Sequence, residues 1–122
     1  MSRFTGLSAN DILFVDSTHV VKAGSDVQLE YLEILPRLAP GVLVQIHDIF
    51  LPMEYPRSWV MENKWFWNEQ YLLQAFLAFN SGFRVRLMAS LLHRRHAARL
   101  QANFGSYDPR RHLPASCWIQ RV

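Results

Sequence analysis

The chain has 122 residues, half of them hydrophobic, a formal net charge of +3 and a sequence pI near 9.4. That length fits one domain able to bury a core without metal or disulfide staples. One cysteine, Cys117, excludes an internal disulfide framework. With no charged, apolar, small-residue leader opening the chain, this favours a reducing, cytoplasmic setting, and the apolar stretches are too short to span a bilayer.

Charge is uneven along the chain. Most acids lie between residues 11 and 69, while Arg84, Arg86, Arg94, Arg95, Arg99, Arg110, Arg111 and Arg121 make the second half basic. Nucleic-acid binding is therefore weighed, but no zinc-knuckle spacing, RNA-recognition aromatic motif or Gly-Lys loop accompanies the arginines, and solvated helix faces account for them more simply.

In chain order, Ile12 to Val15 is an apolar run with little alternation, as in a parallel strand covered on both faces. Asp16 closes it, and Ser17, Thr18 and Gly24 make the exit loop. Ser25 is a good N-cap, and Val27, Tyr31, Ile34, Leu35 and Leu38 follow at helical spacing as one apolar stripe. Pro40-Gly41 ends that helix. A second apolar strand, Val42 to Ile46, is closed by His47 and Asp48.

Strand, helix and strand in this order form a βαβ unit, whose crossover is right-handed almost without exception. Both strand exits then point the same way, and Asp16, His47 and Asp48 meet at the carboxyl edge of one sheet, where open α/β sheets place their ligands.

Phe50 to Trp67 reads as a long loop rich in proline and aromatics, usable as a substrate lid or wall, although Trp59, Trp65 and Trp67 are equally read as core, at least two of them packing over the next helix. Asn68 is placed to cap that helix, with Tyr71, Leu72, Ala75, Phe76 and Phe79 on its inner face and Gly82 as its stop. Residues 83 to 89 read as a third strand, 92 to 104 as a basic helix, 105 to 114 as a turn-rich loop and 116 to 122 as a last strand. His93 and His96 fall on the basic helix without a third ligand at metal spacing. Cys117 reads as a small buried hydrophobe.

The segments Asp11-Ile-Leu-Phe-Val-Asp16-Ser-Thr-His19 and Leu38-Ala-Pro-Gly41-Val-Leu-Val-Gln-Ile-His47-Asp48, followed by Trp67-Asn68-Glu69-Gln70-Tyr71, resemble the class I S-adenosylmethionine-dependent methyltransferases. Within them the likeness is to the small-molecule O-methyltransferase branch that includes macrocin-type and cephalosporin-hydroxylase-like proteins. It covers residues 10 to 91 and the closing strand at 116 to 121.

The resemblance implies a three-layer α/β fold in which this chain, a single partial domain over residues 1–122, is the carboxyl-terminal half of a Rossmann-like sheet. Its strands would be the fourth to seventh of seven, the last running antiparallel between its neighbours. The half that carries the Gly-rich turn and the ribose-binding acid is not in these residues, and the five glycines at 6, 24, 41, 82 and 105 make no Gly-x-Gly. No residue is therefore assigned to bind S-adenosylmethionine, and the chain by itself is expected to be inactive.

By the same resemblance Asp16 and Asp48 match divalent-metal ligand positions, with His47 where relatives often carry an acid, which suits zinc, iron, nickel or manganese better than magnesium. His19 matches the histidine of an Asp-x-x-His pattern and, with His47, is a candidate catalytic group, as general base or further ligand. From the residues alone, Asp16 is equally a cap for the turn leaving its strand, and His19 and His47 are equally structural imidazoles.

Three functions follow. One is the substrate and metal side of a small-molecule O-methyltransferase. Another is a non-catalytic module that self-associates, as a homodimer, through the exposed edge of the strand at 11–15. The third is a small metal-dependent hydrolase using Asp16, His19, His47 and Asp48.

Overall fold

A computed structural model describes residues 4–122. The sheet has four strands, β1 (Ile12–Val15), β2 (Leu43–His47), β3 (Phe83–Met88) and β4 (Ser116–Arg121), in the spatial order β1-β2-β4-β3. β1 and β2 are parallel; β4 runs antiparallel to both β2 and β3. The protein is thus α/β with an open mixed sheet, and its last strand lies reversed between its neighbours. Among the described residues no helix is long and apolar enough to cross a membrane.

The crossover from β1 to β2 begins as α1 (Asp26–Leu29), with Ser25 at its N-cap accepting a hydrogen bond from the Gln28 amide. It does not continue as a regular α-helix. Glu30–Ile34 form a wide π-type turn and Leu35–Arg37 a tight 3₁₀ turn. Pro36 supplies the reason, because a proline there has no N–H to give and would clash with the carbonyl four residues earlier in an α-helix.

The apolar stripe survives the change of pitch. Val27, Tyr31, Ile34, Leu35 and Leu38 are all buried and join Val44, Ile46, Cys117 and Ile119 of the sheet in one core. Gly41, at φ +90°, makes the turn into β2; a Cβ there would stand 2.6 Å from the Ala9 Cβ.

The segment after β2 is not a structureless loop, because it contains the short helix α2 (Arg57–Met61). α3 (Glu69–Leu77) follows, and here the expected inner face is rotated. Leu72 and Phe76 pack partly buried against the core as expected, but Tyr71, Ala75 and Phe79 are exposed, while Glu69, Gln70 and Leu73 are buried. Two polar residues point inward because each finds partners there, the condition on which buried polar groups are tolerated. Gln70 accepts from the Phe50 amide and donates to the Met53 carbonyl.

Asn68 does not cap α3 with its side chain, which instead accepts from the Val21 amide at 2.6 Å. The helix stops at Leu77, well before Gly82, and Phe79 takes the left-handed conformation at φ 58°.

α4 (Ala89–Asn103) follows β3 directly and is broken at His96, whose φ of −136° and ψ of 29° are not helical. Arg121 is spent on structure: its guanidinium donates to the Gly82 and Val122 carbonyls and lies 5.5 Å over the Phe83 ring.

β1 forms one border of the sheet, with Ile12 and Phe14 more than half exposed at 55% and 59%. Both fall on the face that bears Leu43, Gln45 and His47 in β2, whereas Val15 faces the core with Ile46.

Candidate functional site

The parallel register pairs Val15 with Ile46, so the chain leaves β1 at Asp16 beside the end of β2 at His47. Asp48 then turns in the left-handed region at φ 53°, its amide donating to the Ala115 carbonyl at 2.9 Å. His19 is also left-handed, at φ 58°. Residues other than glycine rarely adopt this conformation, and where they do the surrounding structure imposes it, often at functional sites.

What imposes it at His19 is α3. The His19 carbonyl accepts from the amides of Asn68 and Glu69 at 3.0 and 3.2 Å, and the Asn68 side chain holds Val21. Thr18 is tied separately, its amide and hydroxyl both donating to the Asp26 carboxylate. Asp26, not Asp16, therefore braces the exit loop, which leaves Asp16 half-exposed and turned toward the imidazoles.

His19 is the centre of the cluster. Its Nδ1 lies 2.7 Å from Glu69 Oε2, and the Tyr31 hydroxyl donates to Glu69 Oε1 at 2.9 Å. Glu69 and Tyr31 are fully buried and His19 is 6% exposed. Nε2 of His19 faces outward, 3.5 Å from Asp16 Oδ1 and 3.8 Å from Asp48 Oδ2. The Trp67 ring packs on the imidazole at 4.2 Å between centroids.

Burial pushes the His19 pKa down, but the Glu69 hydrogen bond and the charges of Glu69, Asp48 and Asp16 outweigh it, and the net shift is upward from 6.5. Burial, with the Glu69 charge adding to it, also raises the Tyr31 phenol, so Tyr31 is a permanent donor to Glu69.

His47 contributes a more exposed imidazole. Its Nδ1 lies 3.1 Å from Asp48 Oδ1, out of line for a hydrogen bond, and 3.9 Å from Asp16 Oδ1. The structure thus brings Asp16, His19, His47 and Asp48 together at the carboxyl edge of β1 and β2. No protein-family model, curated protein or solved structure matches the chain.

The arrangement is suited to handling a proton. A carboxylate fixes one imidazole nitrogen, leaving the other to face a solvent-reachable pair of acids, the arrangement by which a histidine is oriented as a base or acid.

Glu69 and Tyr31 were absent from the site inferred by sequence. An acid at the first position of a helix reads as an ordinary partner of the helix dipole, and Tyr31 as one more member of an apolar stripe. A glutamate within a motif otherwise dominated by aromatics, Trp65 to Tyr71, was the available signal.

Trp59, Trp65 and Trp67 do not join the core. Trp59 and Trp67 are half-buried and Trp65 is 43% exposed. Trp65 and Trp67 stack at 5.3 Å and 9°, with Trp59 edge-on to both, so they form an aromatic wall behind His19. Glu30 lies with Asp16 along a trench beside β1, and burial lifts its carboxyl to about 6.

Cys117 is fully buried, and burial pushes its thiol up to about 12. In alkylation with iodoacetamide near pH ~8, where an ordinary thiol reacts readily, it is expected to stay unmodified in the native chain and to react only after denaturation. Rapid labelling of the folded protein would contradict its placement.

Proposed function

We propose that this chain forms the substrate side of an S-adenosylmethionine-dependent small-molecule O-methyltransferase, with His19 as the general base that takes the proton from the acceptor hydroxyl. The observation that carries the reading is the His19–Glu69 pair, whose free Nε2 is turned toward Asp16 and Asp48 at the strand exits. The strand order, with the last strand reversed between its neighbours, supports the family likeness.

In this reading a substrate hydroxyl approaches Nε2, and its proton passes to that nitrogen as the oxygen becomes nucleophilic. Glu69 and the two aspartates stabilise the imidazolium that forms, and Glu69 holds the ring so that Nδ1 always carries a proton. Bound S-adenosylmethionine would supply an electrophilic methyl group.

The described residues do not fit that cofactor. Gly24 and Gly105 face open space, Gly41 packs on Ala9 and Gly82 lies against Arg121, and these glycines, isolated from one another in sequence, make no Gly-rich turn for the methionine and ribose of the cofactor to pack against. The cofactor site belongs, in this proposal, to polypeptide outside these residues, joined in cis or in trans. A divalent ion fares no better: among the described residues no group of three or more His, Cys, Asp or Glu side chains is arranged to hold one.

The direct test is calorimetric. The 122-residue chain titrated with S-adenosylmethionine is expected to give no binding heat, and micromolar binding would show that the division into substrate and cofactor sides is wrong.

A second reading, a self-associating module, is favoured by the exposure of Ile12 and Phe14 on a border strand that, among the described residues, has a neighbouring strand on one side only. Light scattering is then expected to report a dimer that Phe14→Lys converts to monomer. A monomer at high concentration in the unmodified chain removes this reading.

A further inference from the structure

After β2 the chain passes Asp48 into a turn that starts at Phe50, and the first turns of α4 and the residues before β4 close against it, leaving a cavity of about 370 Å3. Phe50, Met53, Pro56 and Leu113 make its walls apolar. That volume lies in the lower part of the range of small-molecule sites, roughly 300–1,000 Å3, and accommodates a body of one or two fused rings.

Three of the polar side chains around the cavity are hydrogen-bonded within the protein. The Ser90 hydroxyl donates to the Leu51 carbonyl at 2.6 Å, His93 Nδ1 is 2.6 Å from the Tyr107 hydroxyl, and the Glu54 carboxylate accepts from Tyr71 at 2.6 Å. Arg94, which also lines the cavity, has no hydrogen bond or ion pair among the described residues. An unpaired guanidinium beside an apolar hollow is complementary to an anion borne on an apolar body.

The cavity adjoins the candidate site. The Asp48 amide bonds the Ala115 carbonyl, Phe50 lies two residues beyond Asp48, and Leu113 two before Ala115.

We propose that this cavity binds a small amphipathic anion, its ring system against Phe50, Met53, Pro56 and Leu113 and its carboxylate or phosphate on Arg94. Rested on the functional reading above, it names the substrate class: a compact apolar molecule bearing both a hydroxyl and an anionic group. The binding itself does not depend on that reading.

The test titrates the full chain with naphthaleneacetate, naphthyl phosphate and the neutral naphthaleneethanol, followed by amide NMR. Shifts are expected at Phe50, Met53, Ser90 and Arg94, with both anions bound about five- to tenfold more tightly than the alcohol. Arg94→Gln should bring the anions down to the level of the alcohol and leave the alcohol unchanged, while Leu113→Trp, which fills the cavity, should weaken all three. The tighter of the two anions identifies the head group.

Shifts confined to other residues, an alcohol bound as tightly as the anions, or an Arg94→Gln chain with undiminished anion binding would each overturn the proposal. Anion binding retained in a protein that transfers no methyl group sinks the functional reading alone. Methyl transfer without any anion preference sinks this site alone.

Discussion

His19→Ala is expected to lower methyl transfer to a hydroxyl by about 10²–10⁴-fold, the usual worth of a positioned general base. The measurement is transfer of labelled methyl from S-adenosylmethionine in the protein that joins these residues to a cofactor-binding segment. The loss should appear in kcat, because Nε2 acts on the proton only as the transition state forms. The upward shift of the His19 pKa from 6.5 adds a second expectation. The basic form is depleted below that shifted value, so the rate of the unmodified protein should climb as pH rises through it, and the climb should vanish in His19→Ala. A variant that keeps its rate and its pH profile would remove His19 from the chemistry.

Glu69→Ala is expected to cost about 3–5 kcal/mol of stability, because it strips the partner from a buried imidazole and leaves the Tyr31 hydroxyl without an acceptor. For a chain of this size that is a fall in Tm on the order of 10 °C or more, read by calorimetry. Glu69→Gln separates charge from shape. An amide still accepts from Tyr31 but no longer favours the imidazolium, while burial continues to disfavour it, so the His19 pKa should drop below its value in the unmodified chain, as followed by the imidazole proton resonances.

The sign of the linkage is definite. A histidine whose folded pKa is raised above 6.5 contributes stability that is complete below 6.5 and lost as pH rises through the folded value. The gap between the unmodified chain and Glu69→Gln should therefore be wide near pH ~5.5 and narrow near pH ~9. An equal gap at both would mean that Glu69 holds the loop without holding a proton on His19.

Asp16, His47 and Asp48 were legible in the sequence for a simple reason. Each stands where an apolar run ends, and parallel strands joined by a helix bring such ends to one edge, whereas His19, in the exit loop, was singled out only by the family resemblance. The same logic yielded the strands themselves, the stripe from Val27 to Leu38 and the burial of Cys117.

It failed where a residue's role depends on a partner distant in the chain. Glu69 lies fifty positions from His19, and no period or cap rule pairs them. The rotation of α3 has the same origin, since a hydrophobic pattern points Tyr71, Ala75 and Phe79 inward, whereas the interior takes Glu69 and Gln70 because His19, Tyr31 and the Phe50 amide await them. The tryptophans misled in the opposite sense: their apolar area suggested core, yet they stack on one another and on His19 at the surface.

By itself the amino-acid sequence determined the four strands, the apolar stripe of the crossover between the first two and the place where the polar strand ends gather, because strand and helix periodicity are local properties that backbone geometry enforces. Only the tertiary structure decided which imidazole is held by a buried carboxylate, which way α3 faces and where an unpaired arginine meets an apolar hollow. Those depend on hydrogen bonds and burial between residues far apart in the chain, and such partners are chosen when the elements pack.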